Sequence, residues 1–319
     1  MKKWIFLFIL PLLLLSACEE KKQELVSVAK TTYEETTTPA NLMMPEDMLY
    51  GRITQEVNEK AAELRAQMTE EALSAIAETE SILQSIYEGD ADAASFKTKE
   101  LIGKFAILTK ANPDLQLLPA DATVAINETV TDLKTIKELT GEVKHAVDDG
   151  YYQVAKHVLK NLSSEVIVSK VYIPLGTYPM VLSDVGALIK EGNLNDAAVL
   201  LENALSTLVV EEVVLPLPVL KAQQLIIEAA SLNTDKEADR ALALNYLENA
   251  DYQLTMAEAL GYGKRNEDYK DLHQSIKALK KLIEKQETKE QIQASAEQLK
   301  KDMKAFREKY FAFGKKDKK

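Results

Sequence analysis

The chain of 319 residues holds one cysteine, Cys18, and three histidines, His145, His157 and His273. A lone thiol forms no internal disulfide, so no disulfide framework holds this fold together. Beyond one Glu-x-x-His at Glu142–His145, the histidines show no metal-ligand spacing. There is no nucleophile elbow, phosphate loop or zinc signature. No catalytic residue, cofactor or metal is therefore expected. Long apolar runs are scarce too, and the run at residues 4–15 is too short to span a bilayer.

That run follows Lys2 and Lys3 and ends in Leu15-Ser16-Ala17-Cys18. A basic start, an apolar stretch of about a dozen residues and a small-residue ending read as a secretory signal. The ending resembles a bacterial lipobox, in which the cysteine is lipidated and becomes the first residue of the mature protein. Residues 1–17 are thus expected to be a lipoprotein signal peptide, with Cys18 the lipidation site. A multi-chain anchor holds far better than a single acyl chain. Glu19 and Glu20 lack the aspartate that often marks inner-membrane retention. The expected location is the cell envelope, on the periplasmic face of an outer membrane.

The formal net charge is −11, unevenly spread. Residues 264–319 carry 17 Lys plus Arg against 10 Asp plus Glu, so the acidic excess lies before them. An acidic body argues against nucleic acid as a partner.

Residues 18–46 are rich in Glu, Lys, Thr and Pro and keep no helical period, as expected of a flexible tether. From residue 48 to 87, Ile53, Val57, Ala61, Leu64, Met68, Ala72, Ile76, Ile82 and Ile86 mark one long amphipathic helix, or two in line. Gly89 stops it, and a further helix is expected over about 91–110. Pro113 and Pro119 interrupt the helices at 112–130. There residues 123–126 make a short strand or an extended strap. Helix resumes at 131–147 and carries Glu142 and His145. Di-iron centres need paired motifs of that kind, and only one copy exists. His145 and His157 are the groups expected to titrate in an acidified periplasm.

The middle of the chain is written twice. Gly150 and Gly192 stand 42 residues apart, and the same offset pairs Ala155 with Ala197, Leu159 with Leu201, Asn161 with Asn203 and Pro174 with Pro216. Gly89 and Ala94 suggest a degenerate earlier copy. Repeats of this length usually stack as helical pairs that cannot bury their apolar faces singly. The first copy reads as a helix over 151–172, apolar nearly all round at its end and so expected to be deeply buried. The second ends in the same way at Val209-Val210 and Val213-Val214-Leu215, before Pro216 and Pro218. Thr234 and Glu237 are spaced as a capping box for the next helix. Two more helices are expected over 265–313, followed by the basic 314–319. Such an end ordinarily packs a hairpin on an acidic body; the other reading is docking on anionic lipid or an acidic partner.

The Gly-x-x-x-x-Ala-x-x-x-Leu helices, the run into Leu215-Pro216-Leu217-Pro218 and the segment 117–126 resemble the YfdX family over about residues 70–260. The resemblance implies an all-helical exported protein, often homo-oligomeric, linked to envelope stress tolerance and without an established catalytic residue. The expected fold class is all-α: an array of imperfect ~42-residue helical repeats with one irregular strap and a C-terminal helical hairpin. The expected divisions are 1–17 signal, 18–46 tether, 47–263 YfdX-like domain, 264–313 hairpin and 314–319 tail. Three functions follow, in descending order. They are a lipid-anchored, chaperone-like binder of protein clients, a scaffold for one dedicated partner, and an enzyme or metal carrier using Glu142, His145 and His157.

Overall fold

The computed structural model describes residues 42–263 and 267–311. The expected signal peptide with its lipidation site Cys18, the expected tether up to residue 41 and the basic residues 314–319 lie outside the described residues. The described chain is predominantly α-helical, with eleven helices and one three-stranded sheet. No described helix is long and apolar enough to cross a membrane.

The amphipathic stretch after residue 46 forms two helices, α1 (Glu46–Arg65) and α2 (Glu70–Tyr87). Thr69 divides them by capping α2, its side chain accepting the amide of Ala72. They join different cores. Leu49, Ile53 and Val57 enter one cluster, while Ala72, Ile82 and Ile86 enter another.

After α1 one pattern occurs three times, two antiparallel helices and then a strand. The units are α2 with α3 (Ala91–Ala111) and β1 (Leu117–Glu128); α4 (Leu133–Asp148), α5 (Tyr152–Leu159) and β2 (Ser164–Pro174); and α6 (Tyr178–Lys190), α7 (Leu194–Ser206) and β3 (Val209–Pro216). The earlier copy suggested by Gly89 is thus a full unit. Gly89, Gly150 and Gly192 turn the three helical corners at φ of 76°, 79° and 81°, a region that only glycine enters freely. The amides of Asp90, Tyr151 and Asn193 then donate back to the carbonyls of Ser85, Ala146 and Leu188. Five residues beyond each glycine, Ala94, Ala155 and Ala197 are buried where the two helices meet.

Two expectations fail here. The helix foreseen over 151–172 ends at Leu159, and Ser164–Pro174 is the central strand of the sheet. Its second copy turns into strand at Val209 in the same way. Val166, Ile167, Val168, Val171 and Ile173 are β-branched, lose side-chain freedom in a helix and pack well on a pleat. The strap is likewise a strand, β1, and it tolerates Pro119 because it lies at the sheet edge beside a register shift between Pro119 and Asp121. The strands lie in the order β1-β2-β3, antiparallel throughout, with Val124 opposite Val168 and Val168 opposite Val213.

Helix α8 (Leu217–Ser231) starts on Pro216 and Pro218. The expected capping box does not form before α9 (Glu237–Ala259); Lys236 is its N-cap, and Arg240 instead donates to the Thr234 carbonyl. Helices α10 (Glu267–Glu284) and α11 (Lys289–Phe311) close the described chain. The main core joins α1, one face of the sheet, α8, α9 and this last hairpin through Ile53, Val166, Leu220, Leu247, Ile276 and Met303. The hairpin therefore shares its core with the body. Helices α2, α3, α6 and α7 form a second cluster at one end of the sheet. A small third cluster seats α4 on α9.

Candidate interaction surface

Alternate residues of a strand face opposite ways, so the register sorts the sheet into two sides. Val124, Val166, Val168, Val213 and Leu215 point into the main core. Ala125, Ile167 and Val214 form a cross-strand row on the other side, and so do Asp121, Val171 and Val210. Thr123, Ser169 and Glu212 lie between those rows. On this side even the central-strand residues Ile167, Ser169 and Val171 are only half-buried. Val210 is 52% exposed and Val214 is 38% exposed, so no layer covers them. The expectation that this apolar run lies deeply buried holds for Val166, Val168 and Ile173 but not for Ile167, Val210 or Val214.

The outer edge of β3 adds to this surface. The strand is last in the sheet, and its outward backbone amides and carbonyls have no neighbouring strand among the described residues. Edges of this kind pair readily with an extended segment. The arrangement offers an apolar platform of valine and isoleucine beside a hydrogen-bonding edge.

The core side of the sheet carries its polar groups at the margins. Lys221 of α8, with its side chain 7% exposed, lies 2.9 Å from Glu128 at the end of β1. Its ammonium also donates to the Tyr50 hydroxyl at 2.8 Å and sits 4.4 Å from that ring's centre. The Ser164 hydroxyl donates to the same Glu128 oxygen at 3.3 Å. Nearby, Tyr262 accepts the Ser164 amide and donates to Glu165. Burial, above all, holds the Tyr262 phenol above its ordinary range. At the opposite margin the Tyr172 hydroxyl donates to Glu211 at 2.8 Å. Its pKa is pushed up to about 12, first by burial and then by that carboxylate. These contacts tie α1, α8 and the turn after α9 to the strand ends, and on the other side Arg65 of α1 pairs with Asp121 at 2.7 Å.

The residues named from sequence lie elsewhere. Glu142 and His145 sit on α4, with His145 exposed in its last turn, and His157 is exposed on α5. No group of three or more metal-ligating side chains occurs among the described residues. His273 carried no sequence signal, yet its Nδ1 meets Asp251 Oδ1 at 2.6 Å. Its acidic partner lies 22 residues away on another helix, a separation no short motif encodes. The open face itself was obscured by reading β2 as helix, because only a period of two separates its sides.

No curated protein matches the chain. A solved structure of Salmonella Typhi YfdX aligns at 15% sequence identity over 47% of this chain and 93% of that chain, with a TM-score of 0.31. The family model described as YfdX protein matches residues 75–214, from within α2 to within β3. These residues carry the helix–helix–strand units and the open face, and over them the chain is similar to the YfdX family.

Proposed function

We propose that this chain is a lipid-anchored protein of the cell envelope that holds apolar, extended segments of client proteins on the open face of its sheet. It acts without catalysis, in tolerance of envelope stress. The observation that carries the reading is the uncovered apolar face, with Ile167, Val171, Val210 and Val214 beside the free edge of β3. Exposed apolar patches rimmed by polar groups mark interaction sites. An extended client would gain backbone hydrogen bonds from the edge and side-chain contacts from the platform. The Leu15-Ser16-Ala17-Cys18 ending supports the anchor, and the acidic composition supports a protein held beside a membrane rather than on nucleic acid.

A photo-crosslinking residue placed at Val210 in living cells tests this, with capture and mass spectrometry at neutral and acid pH. Many crosslinked clients, lost when Val214→Asp is added, are the expected outcome. In parallel, Cys18→Ser is expected to abolish acyl labelling and release the chain from membranes. The free edge equally suits a scaffold that receives one strand of a dedicated partner. A single stoichiometric crosslink would establish that reading and sink the many-client one. No crosslink above that from an exposed control site such as Lys281 would remove both.

A further inference from the structure

We propose that His273 is a proton-operated clasp that fastens the C-terminal helical hairpin to α9 in acid and loosens it as pH rises. The inference is independent of the client-binding reading, since it concerns α9 and α10 and not the sheet.

The clasp sits in a groove of about 800 Å³ between these helices. From α9, Asp251, Thr255 and Glu258 line it; from α10, Lys270, His273, Gln274, Lys277, Lys280, Lys281 and Glu284 do so. The imidazole reaches across with one nitrogen on each side of an acidic pair. Nδ1 lies 2.6 Å from Asp251, and Nε2 lies 4.0 Å from Glu258. Neutral imidazole offers one donor, so it can satisfy only one carboxylate as donor; imidazolium offers two. Protonation thus converts one hydrogen bond into a charge-assisted bridge spanning about two turns of α9.

The surroundings fix the sign. The Asp251 hydrogen bond raises the His273 pKa above its ordinary 6.5, burial opposes this, and the charges of Asp251 and Glu258 add to the rise. A histidine with a raised folded-state value contributes stability that is complete below the unfolded value and is lost as pH climbs through the folded one. The other charges on α10 work differently. Lys280 pairs with Glu248 of α9 at 2.8 Å, and a lysine does not titrate between pH 5 and 8. On the far side of α10, Asp268 and Asp271 face Asp302 and Lys309 of α11, within the hairpin and not against α9. Beneath the clasp, Leu272, Ile276 and Leu279 supply apolar contact that does not depend on pH. The proton therefore adjusts a docking that burial already favours.

Hydrogen–deuterium exchange of the full chain in detergent, corrected for intrinsic rates, tests the clasp between pH 5.5 and 8. Exchange through α10 is expected to be roughly two- to fivefold slower at the acid end, the range that a partly exposed ion pair supplies. The dependence should vanish in His273→Gln and in Asp251→Asn, and should persist in His157→Gln. Comparison with α8 in the same samples reports any general loss of fold. A wild-type chain whose α10 exchanges equally at both pH values would overturn the proposal. So would His273→Gln retaining the wild-type dependence.

Discussion

The two sides of the sheet are built from the same three strands and much the same residues, yet they meet opposite fates. Val166 and Val168 are fully buried, whereas Ile167, the residue between them, is left half-open. Nothing in the residue types separates the sides, because both are β-branched and both would bury if covered. The difference lies in what the neighbouring helices reach. Helices α1, α8 and α11 contribute to the core on one side, while on the other the cluster of α2, α3, α6 and α7 takes in Leu118 and Ile173 at one end and leaves Ile167, Val210 and Val214 uncovered. A sheet side is thus buried by connectivity as much as by composition. The surface that remains has apolar character without a structural partner.

The contrast is breakable by charge. Val168→Asp puts a carboxylate into the core with no cation to meet it, and is expected to cost about 4 kcal/mol, read as a fall in the urea midpoint. An unchanged midpoint would mean that the packed side admits water. Lys221→Met removes the cation that faces Glu128 and leaves a buried carboxylate accepting only from neutral groups. Its expected cost is about 3 kcal/mol by the same measurement, with most of it recovered in the Lys221→Met/Glu128→Gln double variant. The smallest effect belongs to the open side. Val210→Asp is expected to move stability by no more than about 0.5 kcal/mol while depleting crosslinked partners. A large destabilisation there would show that this side is covered in the folded chain, and the comparison would collapse.

Much of this architecture was legible from spacing. The stripe at Ile53, Val57 and Ala61 marks the buried side of α1, and the glycines at 89, 150 and 192 mark the helical corners. Corners are readable because a left-handed residue is a local demand that glycine alone meets cheaply. The strands were not readable in the same way. In Val166-Ile167-Val168 both sides are apolar, so alternation, the signature of a strand with one wet side, is absent. Such a run fits a buried helix as well as a strand, and only its β-branched content favours the strand. The candidate surface shared that difficulty, since which valines stay uncovered depends on helices far away in sequence. His273 was hidden for a similar reason: Asp251 and Glu258 become its partners only after α9 and α10 pack.

The way the strands are joined also governs how the chain assembles. Neighbouring strands are usually linked by tight turns, but here β1 and β2 are separated by α4 and α5, and β2 and β3 by α6 and α7. Each helical pair closes over a few residues around its glycine and can form early, whereas each strand must wait for an entire hairpin to fold before meeting its neighbour. The sheet is therefore the late, high-contact-order step of folding. Until it completes, both sides of β2 resemble the extended apolar segments that the finished protein is proposed to hold, so during its own synthesis the chain poses the same aggregation hazard as such segments.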